Sequence, residues 1–225
     1  YEGYYKISEF NDGAYECDYI SPYSITAHNV SAVVMVVLQD WCSEEGFEVE
    51  VCKETLKYGY TPTVRTNINL KKFLMKFLGL NLEETYATNL FPYIKKGSMN
   101  ASIPASDLEK AAHDFTIPTI KIINPQIVIC LGLDTFNAIK YGYCKIRDYP
   151  MANAIKNSFE IGDSRVFAQA HTGQMGINNR NRGGVDRVSL DWKEMANYYI
   201  NTYNIYMAFG CQGKNSSFAN LKLTP

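Results

Sequence analysis

The residues Val30–Leu38 read VSAVVMVVL and run directly into Gln39 and Asp40. This almost unbroken apolar run is rich in β-branched residues, which predicts a strand that is buried on both faces. Strands of this kind occur in parallel sheets that carry helices on either side. The run therefore predicts an α/β protein in which polar residues follow the carboxyl end of a central strand.

Further β-rich apolar runs follow along the chain, and each ends at a polar residue or a glycine: Thr85–Thr88 before Asn89, Gln126–Leu131 before Gly132, and Arg165–Ala170 before His171. Helical patterns separate the runs. We therefore expect an α/β fold, a three-layer α/β/α sandwich around a central, mostly parallel, four-stranded sheet. The 225 residues suffice for one domain, with its core at about residues 26–206.

Apolar residues recurring at helical spacing predict the helices. They are, in chain order, one from Thr66 or Asn67 to Gly79, one over Ser106–Ile123, one after Gly132 and one over Ser189–Tyr203. Pro118 is expected to kink or split the second of these. The remaining stretches lack such a pattern and are predicted to be an N-terminal wrap (1–25), a loop or insertion (142–164) and a peripheral tail from Gly210.

Three polar residues are expected to meet at one edge of the sheet. In open parallel sheets, ligands bind in the crevice outside the carboxyl ends of the strands. Asp40, Asn89 and His171 each follow a predicted strand. Taken singly, each of the three is more commonly a cap or a turn residue than a functional residue. Their shared position favours a functional site.

The composition is that of an ordinary globular protein, with a net charge of −1. No apolar stretch approaches the length of a membrane span, so we expect a cytoplasmic protein, a monomer without a membrane partner. The six cysteines include no CxxC pair, which predicts reduced thiols and no metal site.

Positive charge is concentrated directly after His171. Arg180, Arg182 and Arg187 lie in a stretch rich in glycine and asparagine, with Asp186 as the opposing acid. Such a cluster beside a site is suited to hold phosphates. A solvated loop is the alternative interpretation.

The chain resembles the uracil-DNA glycosylase superfamily in an ordered set of motifs over roughly residues 30–190. Val36–Asp40 is similar to the strand that runs into the family's Gly-Gln-Asp-Pro-Tyr motif. The other similar segments are Pro62–Leu70 (a Pro-Thr-Asn/Asn-Leu helix start), Thr88–Asn89 (the base-reading asparagine), Asn124–Gly132 (a Lys-Pro-x-Val-Val-x-Leu-Gly strand) and Ala170–His171 (the start of His-Pro-Ser).

The resemblance implies an enzyme that flips a nucleotide out of DNA and cleaves its N-glycosidic bond without a metal or other cofactor. Asp40 would then stabilise the sugar cation and orient the attacking water, and His171 would donate a hydrogen bond to O2 of the leaving base. Asn89 would read the Watson–Crick edge of the base. Gln39 belongs to the same first motif and is expected to bind the base.

The sequence departs from the family around the base pocket. Leu38, Trp41 and Cys42 stand where the family has glycine, proline and, in many members, a tyrosine that crowds C5 of the base. A small Cys42 is expected to admit a 5-substituted pyrimidine, including a heavily modified phage base. Phe47 or Trp41 would stack on the base. Thr172-Gly173 replaces Pro-Ser after the histidine.

DNA would be contacted by the loop after His171. In the family this loop inserts an apolar wedge into the minor groove, a role that Met175 can fill, although ordinary packing explains it equally well. Arg180, Arg182 and Arg187 are expected to contact phosphates.

Two other functions fit the same sequence. One is a non-catalytic protein of the same fold that binds DNA or a base. The altered first motif is compatible with it, whereas the presence of Asp40, Asn89 and His171 together argues against it. The other is an enzyme that processes small nucleosides. The arginine cluster favours a polymeric substrate over a small one.

Overall fold

The computed structural model describes residues 1–47 and 50–208, with the backbone alone for 202–208. Its centre is a five-stranded sheet in the order β2-β1-β3-β5-β4. The strands are β1 (Val34–Asp40), β2 (Tyr86–Phe91), β3 (Ile127–Leu131), β4 (Phe159–Ile161) and β5 (Ser164–Gln169). All neighbouring pairs are parallel except β4 and β5. The predicted α/β class and mostly parallel sheet are confirmed.

The predicted strand count of four is wrong, because β4 adds a fifth strand at one edge. β4 and β5 form an antiparallel hairpin closed by Gly162 and Asp163. Gly162 has a φ of 60°, a left-handed conformation that favours glycine in tight hairpin turns. β4 has only 3 residues, too few to produce a recognisable alternation of apolar and polar residues.

The helices pack on both faces of the sheet. They are α1 (Lys53–Tyr58), α2 (Arg65–Phe73), α3 (Ala105–Ala111), α4 (Ile117–Ile123), α5 (Leu133–Cys144), α6 (Met151–Lys156), α7 (Gln174–Arg180) and α8 (Arg187–Ala208). Short 3₁₀ turns occupy Ile7–Glu9, Asn11–Gly13, Pro22–Ile25, Glu44–Gly46 and Leu82–Glu84, and π-helical turns occupy Leu74–Leu78 and Ala112–Thr116. None of the helices in this described part of the chain is long and apolar enough to cross a membrane.

The predicted helices exist, with differences at their boundaries. The helix predicted to end at Gly79 corresponds to α2 and the π-helical turn that follows it. Gly79 ends this turn in a left-handed conformation, as expected. The helix predicted over Ser106–Ile123 is split by a π-helical turn just before α4. Pro118 lies in the first turn of α4, where a missing N–H is tolerated. The predicted loop over 142–164 is largely wrong, since it contains α6 and β4, and the predicted tail from Gly210 lies outside the described residues.

Each face of the sheet has its own apolar core. On one face, α2 and α8 contribute Leu70, Phe73, Trp192 and other buried side chains. On the opposite face, α3, α4 and α5 contribute residues such as Ile120 and Phe136. Burying side chains of this size stabilises a fold by about 1.5–3 kcal/mol each. The two cores hold the strand ends rigidly, as a site at the sheet edge requires.

Candidate active site

The register of the sheet brings Asp40 and His171 to the same level above its carboxyl edge. Val37 pairs with Cys130, and Cys130 pairs with Ala168. Asp40 follows Val37 by as many residues as His171 follows Ala168. Because adjacent strands lie about 4.8 Å apart and β3 runs between them, the two backbones are roughly 10 Å apart. A planar ring fits between side chains at that spacing.

Strand alternation turns Asp40 and Asn89 toward one face. Leu38 belongs to the core beneath α2 and α8, and Asp40 shares its parity along β1. His171 lies beyond the end of β5 and reaches the cavity from the loop before α7. Asn89 is the register partner of Leu38, so its side chain leaves β2 on the same face.

A cavity of about 390 Å³ lies at this edge of the sheet, within the range of about 300–1,000 Å³ typical of small-ligand pockets. The predicted site residues that line it are Asp40, Trp41, Cys42, Phe47 and His171. Other walls come from side chains outside the predicted set, including Tyr15, Tyr23, Thr55, Tyr60, Thr61 and Asn67. The structure thus brings together residues that are distant in the sequence.

Asp40 forms a buried ion pair with Lys95. The Lys95 Nζ lies 2.8 Å from Asp40 Oδ2, and the two side chains are 5% and 9% exposed. The same ammonium donates a hydrogen bond of 2.8 Å to the carbonyl of Met99. Because Asp40 lines the cavity and its Oδ2 is buried against Lys95, Oδ1 is the oxygen that can meet a ligand.

The hydrogen bonding of His171 fixes its tautomer. The backbone N–H of Gly173 donates to Nδ1 at 3.1 Å, so Nδ1 is unprotonated and the neutral ring carries its proton on Nε2. Burial lowers the pKa of His171, and the negative charge of Asp40 opposes that shift. At neutral pH the ring is therefore an uncharged Nε2–H donor on the cavity wall.

Two glycines allow the chain to pass close to this histidine. A Cβ on Gly173 would lie 2.9 Å from His171 Nδ1, and one on Gly176 would lie 2.2 Å from the His171 carbonyl oxygen. Beside them, Asn69 donates a hydrogen bond of 2.8 Å to the carbonyl of Thr172. The loop between β5 and α7 is thus docked on α2, and the replacement of Pro-Ser by Thr172-Gly173 is compatible with a fixed histidine.

The two predicted stacking residues are held by neighbouring groups. Trp41 donates its indole N–H to the carbonyl of Gly59 at 2.8 Å. Phe47 stacks on Phe10, with ring centroids 4.1 Å apart and planes inclined by 9°. Tyr15 packs against both, at centroid distances of 5.5 Å from Trp41 and 5.9 Å from Phe47. The cavity therefore has a fixed aromatic wall on which a planar base can stack.

Cys42 occupies a crowded part of the wall. Its thiol donates to the carbonyl of Ser43 at 3.5 Å, and burial raises its pKa. A Cβ on Gly46 would lie 2.8 Å from the Cys42 sulfur. A side chain larger than cysteine at position 42 would therefore have to project into the cavity.

Asn89 and Gln39 are not among the residues that line the cavity. Asn89 is 1% exposed, and among the described residues neither its side-chain oxygen nor its nitrogen has a hydrogen-bond partner. Its backbone N–H donates to Ser21 Oγ at 3.1 Å. The unpaired amide of Asn89 is therefore buried on β2, beside Leu38 of β1, and Leu38 is part of the cavity wall.

The residues predicted to contact DNA differ in their environments. Met175, at the start of α7, is 74% exposed. Arg182 and Arg187 are also exposed. Arg180 instead forms a two-point ion pair with Asp191, with distances of 2.6 and 2.9 Å. Its guanidinium is paired with a carboxylate, whereas Arg182 donates to the Asn179 side chain and Arg187 to the carbonyl of Arg182.

Sequence reasoning missed Lys95, Asn67 and the tyrosines of the N-terminal segment. Asn67 accepts a hydrogen bond from the Tyr23 hydroxyl and donates to the carbonyl of Thr61, which ties the N-terminal segment to the start of α2. The density of tyrosines before residue 25 was the available signal for Tyr15 and Tyr23. For Lys95, the signal was its position in the loop that follows Asn89.

The arrangement supplies a carboxylate, a neutral hydrogen-bond donor and aromatic surfaces around one cavity. Such groups can stabilise a cation on one side of a ligand and developing negative charge on the other. Within residues 1–47 and 50–208, no group of three or more His, Cys, Asp or Glu is arranged to bind a metal ion. The chain matches no protein-family model, and no curated protein is significantly similar to it in sequence.

Proposed function

We propose that this protein is a DNA N-glycosylase that excises uracil or a C5-modified pyrimidine and leaves an abasic site. The observation that carries the proposal is the pairing of Asp40 and a neutral His171 across one cavity at the sheet edge. The ordered motifs that resemble the uracil-DNA glycosylase superfamily support the same assignment, including a fold of that type.

The chemistry of the reaction accounts for both residue types. When the N-glycosidic bond breaks, the deoxyribose becomes cationic and the departing pyrimidine becomes negative. Asp40 Oδ1 would face C1′, stabilise the cation and orient the water that attacks it. His171 Nε2–H would donate to O2 of the base, where negative charge accumulates. A neutral imidazole is suited to this role because the donor proton is present at neutral pH.

The pocket favours a pyrimidine with room for a substituent. The base would stack on the wall formed by Trp41 and Phe47, and Cys42 leaves space where a larger side chain would crowd C5. The motif resemblance assigns Asn89 to the base edge, although its side chain is not among those that line the cavity. An amide that lacks partners gains most from a ligand that pairs with it. A modified phage base such as glucosylated hydroxymethylcytosine is within this class. The cellular role would then be defence against phage, whereas uracil would indicate DNA repair.

Binding to DNA would involve the exposed groups beside the histidine loop. Met175 would enter the space left by the flipped base, and Arg182 and Arg187 would contact phosphates. The ion pair of Arg180 with Asp191 favours the second candidate, an enzyme acting on small nucleosides, because it reduces the charge available for phosphates. A non-catalytic binder on the same fold remains the third candidate.

Duplexes labelled at one end and carrying uracil, thymine, 5-hydroxymethylcytosine or its glucosylated form test the proposal. Alkali-sensitive breaks at the modified position report abasic sites. We expect breaks with the wild type and far fewer with Asp40→Asn. Asp163→Asn is the matched control, because Asp163 is exposed in the β4–β5 turn, away from the carboxyl edge of the sheet. Salt-sensitive duplex binding without breaks would contradict the proposal and favour the non-catalytic binder.

A further inference from the structure

Lys95 forms an ion pair with Asp40, which lines the cavity, but Lys95 is not itself among the lining residues. Lys95 is 4% exposed, and lysine is almost never fully buried unless it is paired. We propose that Lys95 is a positioning residue that holds the Asp40 carboxylate in one orientation for the reaction. This inference rests on the proposed function.

The backbone around Lys95 is fixed from two sides. Ile94 exchanges two hydrogen bonds with Tyr5, of 3.0 and 2.9 Å. On the other side, the N–H of Glu44 donates to the Lys95 carbonyl at 2.9 Å, and the Glu44 carboxylate accepts from the N–H of Gly97 at 3.1 Å. The backbone at Lys95 therefore cannot follow a displaced Asp40, and the carbonyl of Met99 restrains the ammonium.

The two contacts of Lys95 assign it a supporting role. Its ammonium forms an ion pair with Asp40 Oδ2 and donates a hydrogen bond to the Met99 carbonyl, both at 2.8 Å. With Oδ2 held in this way, Oδ1 keeps one direction toward the cavity.

Stability alone gives little reason to retain such a pair. Replacing a buried ion pair with apolar residues is often neutral or stabilising, whereas removing one partner leaves an uncompensated charge. The pair is instead explained by what Asp40 must do, since its carboxylate has to present one oxygen to the cavity in a fixed direction.

A double-mutant cycle separates positioning from a general effect on folding. The single-turnover excision rate is measured for the wild type, Lys95→Met, Asp40→Asn and the double variant. We expect Lys95→Met to lower the rate on the order of tenfold to a hundredfold, with duplex affinity unchanged. In the Asp40→Asn background, the same substitution should change the residual rate by no more than about twofold. Lys95→Arg, which retains the charge, should recover part of the loss.

Lys140→Met is the matched control. Lys140 is buried and paired with Asp148, but it belongs to α5 on the opposite face of the sheet. We expect its excision rate to remain within about twofold of the wild type. If Lys140→Met lowered the rate as much as Lys95→Met, the effect would come from losing any buried ion pair, and the inference would be overturned.

Three other outcomes would overturn the inference. One is full activity of Lys95→Met, and another is an equal loss in both backgrounds of the cycle. The third is borohydride trapping of a covalent DNA adduct that requires Lys95, which would make this residue a nucleophile. All three leave the proposed function standing. A wild type that is inactive on every duplex would instead overturn the proposed function, and the role of Lys95 with it.

Discussion

His171 owes its lowered pKa to burial, and one backbone hydrogen bond fixes its tautomer. The N–H of Gly173 donates to Nδ1. The imidazole is therefore held in position while it carries a single proton, on Nε2. Because the pKa of His171 is lowered in the folded chain, the unfolded chain binds a second proton on this ring more tightly. Protonation at low pH therefore destabilises the fold.

His171→Gln is therefore expected to reduce the loss of unfolding free energy that the wild type shows as the pH falls. The ordinary histidine pKa is 6.5, so the wild type should lose stability as the pH falls from about 6.5 through the lower folded pKa. Each unit of difference corresponds to about 1.4 kcal/mol. Urea unfolding above and below this interval measures the loss, with exposed His113→Gln as the control. Equal losses in the wild type and His171→Gln would contradict a buried neutral imidazole.

Asn89→Leu should separate stability from activity. Among the described residues, the Asn89 amide has no partner, and an unsatisfied buried polar group costs about 1–3 kcal/mol. An apolar side chain of similar size should therefore keep or raise the free energy of unfolding, by about 1 kcal/mol, while base excision is lost. Thermal melting and the alkali assay report the two effects. A clear fall in stability would indicate that the amide is paired in the folded protein.

Cys42→Tyr is expected to exclude large C5 substituents. The added ring has to enter the cavity, because the Cys42 sulfur is already close to Gly46. The ratio of the excision rate on a glucosylated base to that on uracil should fall by about tenfold or more. Cys42→Ala, which leaves the cavity open, should preserve the ratio. An unchanged ratio in the tyrosine variant would place the C5 substituent elsewhere.

At the scale of elements, the histidine loop between β5 and α7 depends on Gly173. A methyl group there would lie 2.9 Å from His171 Nδ1, so Gly173→Ala should displace the imidazole. We expect the single-turnover rate to fall on the order of tenfold to a hundredfold, with duplex binding retained. Gln174→Ala changes an exposed neighbour and should have little effect. Full activity of Gly173→Ala would show that the histidine does not need this loop geometry.

The sequence predicted the elements that carry long apolar runs and missed those without them. β1, β3 and β5 were recognisable because both of their faces are covered, and their ends placed Asp40 and His171 correctly. β4 was missed because 3 residues cannot show a period, although Gly162-Asp163 is a hairpin signal. The split before α4 was predictable because Pro118 is tolerated only in a first helical turn.

At the scale of the whole molecule, the cavity joins segments that no local pattern connects. Tyr15 and Tyr23 come from the N-terminal segment, and Lys95 comes from the loop after β2. Their side chains reach the site through tertiary contacts, such as the hydrogen bond from the Cys52 N–H to the Tyr15 hydroxyl at 2.8 Å. Sequence motifs found the two proposed catalytic groups but not the residues that surround and fix them.

The fate of the attacking water tests the central claim most directly. The reaction is run in ¹⁸O-labelled water on a duplex that carries the preferred base, and the products are analysed by mass spectrometry. The account predicts release of an intact base that carries no label, since Asp40 directs the water to C1′ and not to a carbon of the base ring. No free base, or label in the base itself, would contradict cleavage of the N-glycosidic bond by Asp40 and His171.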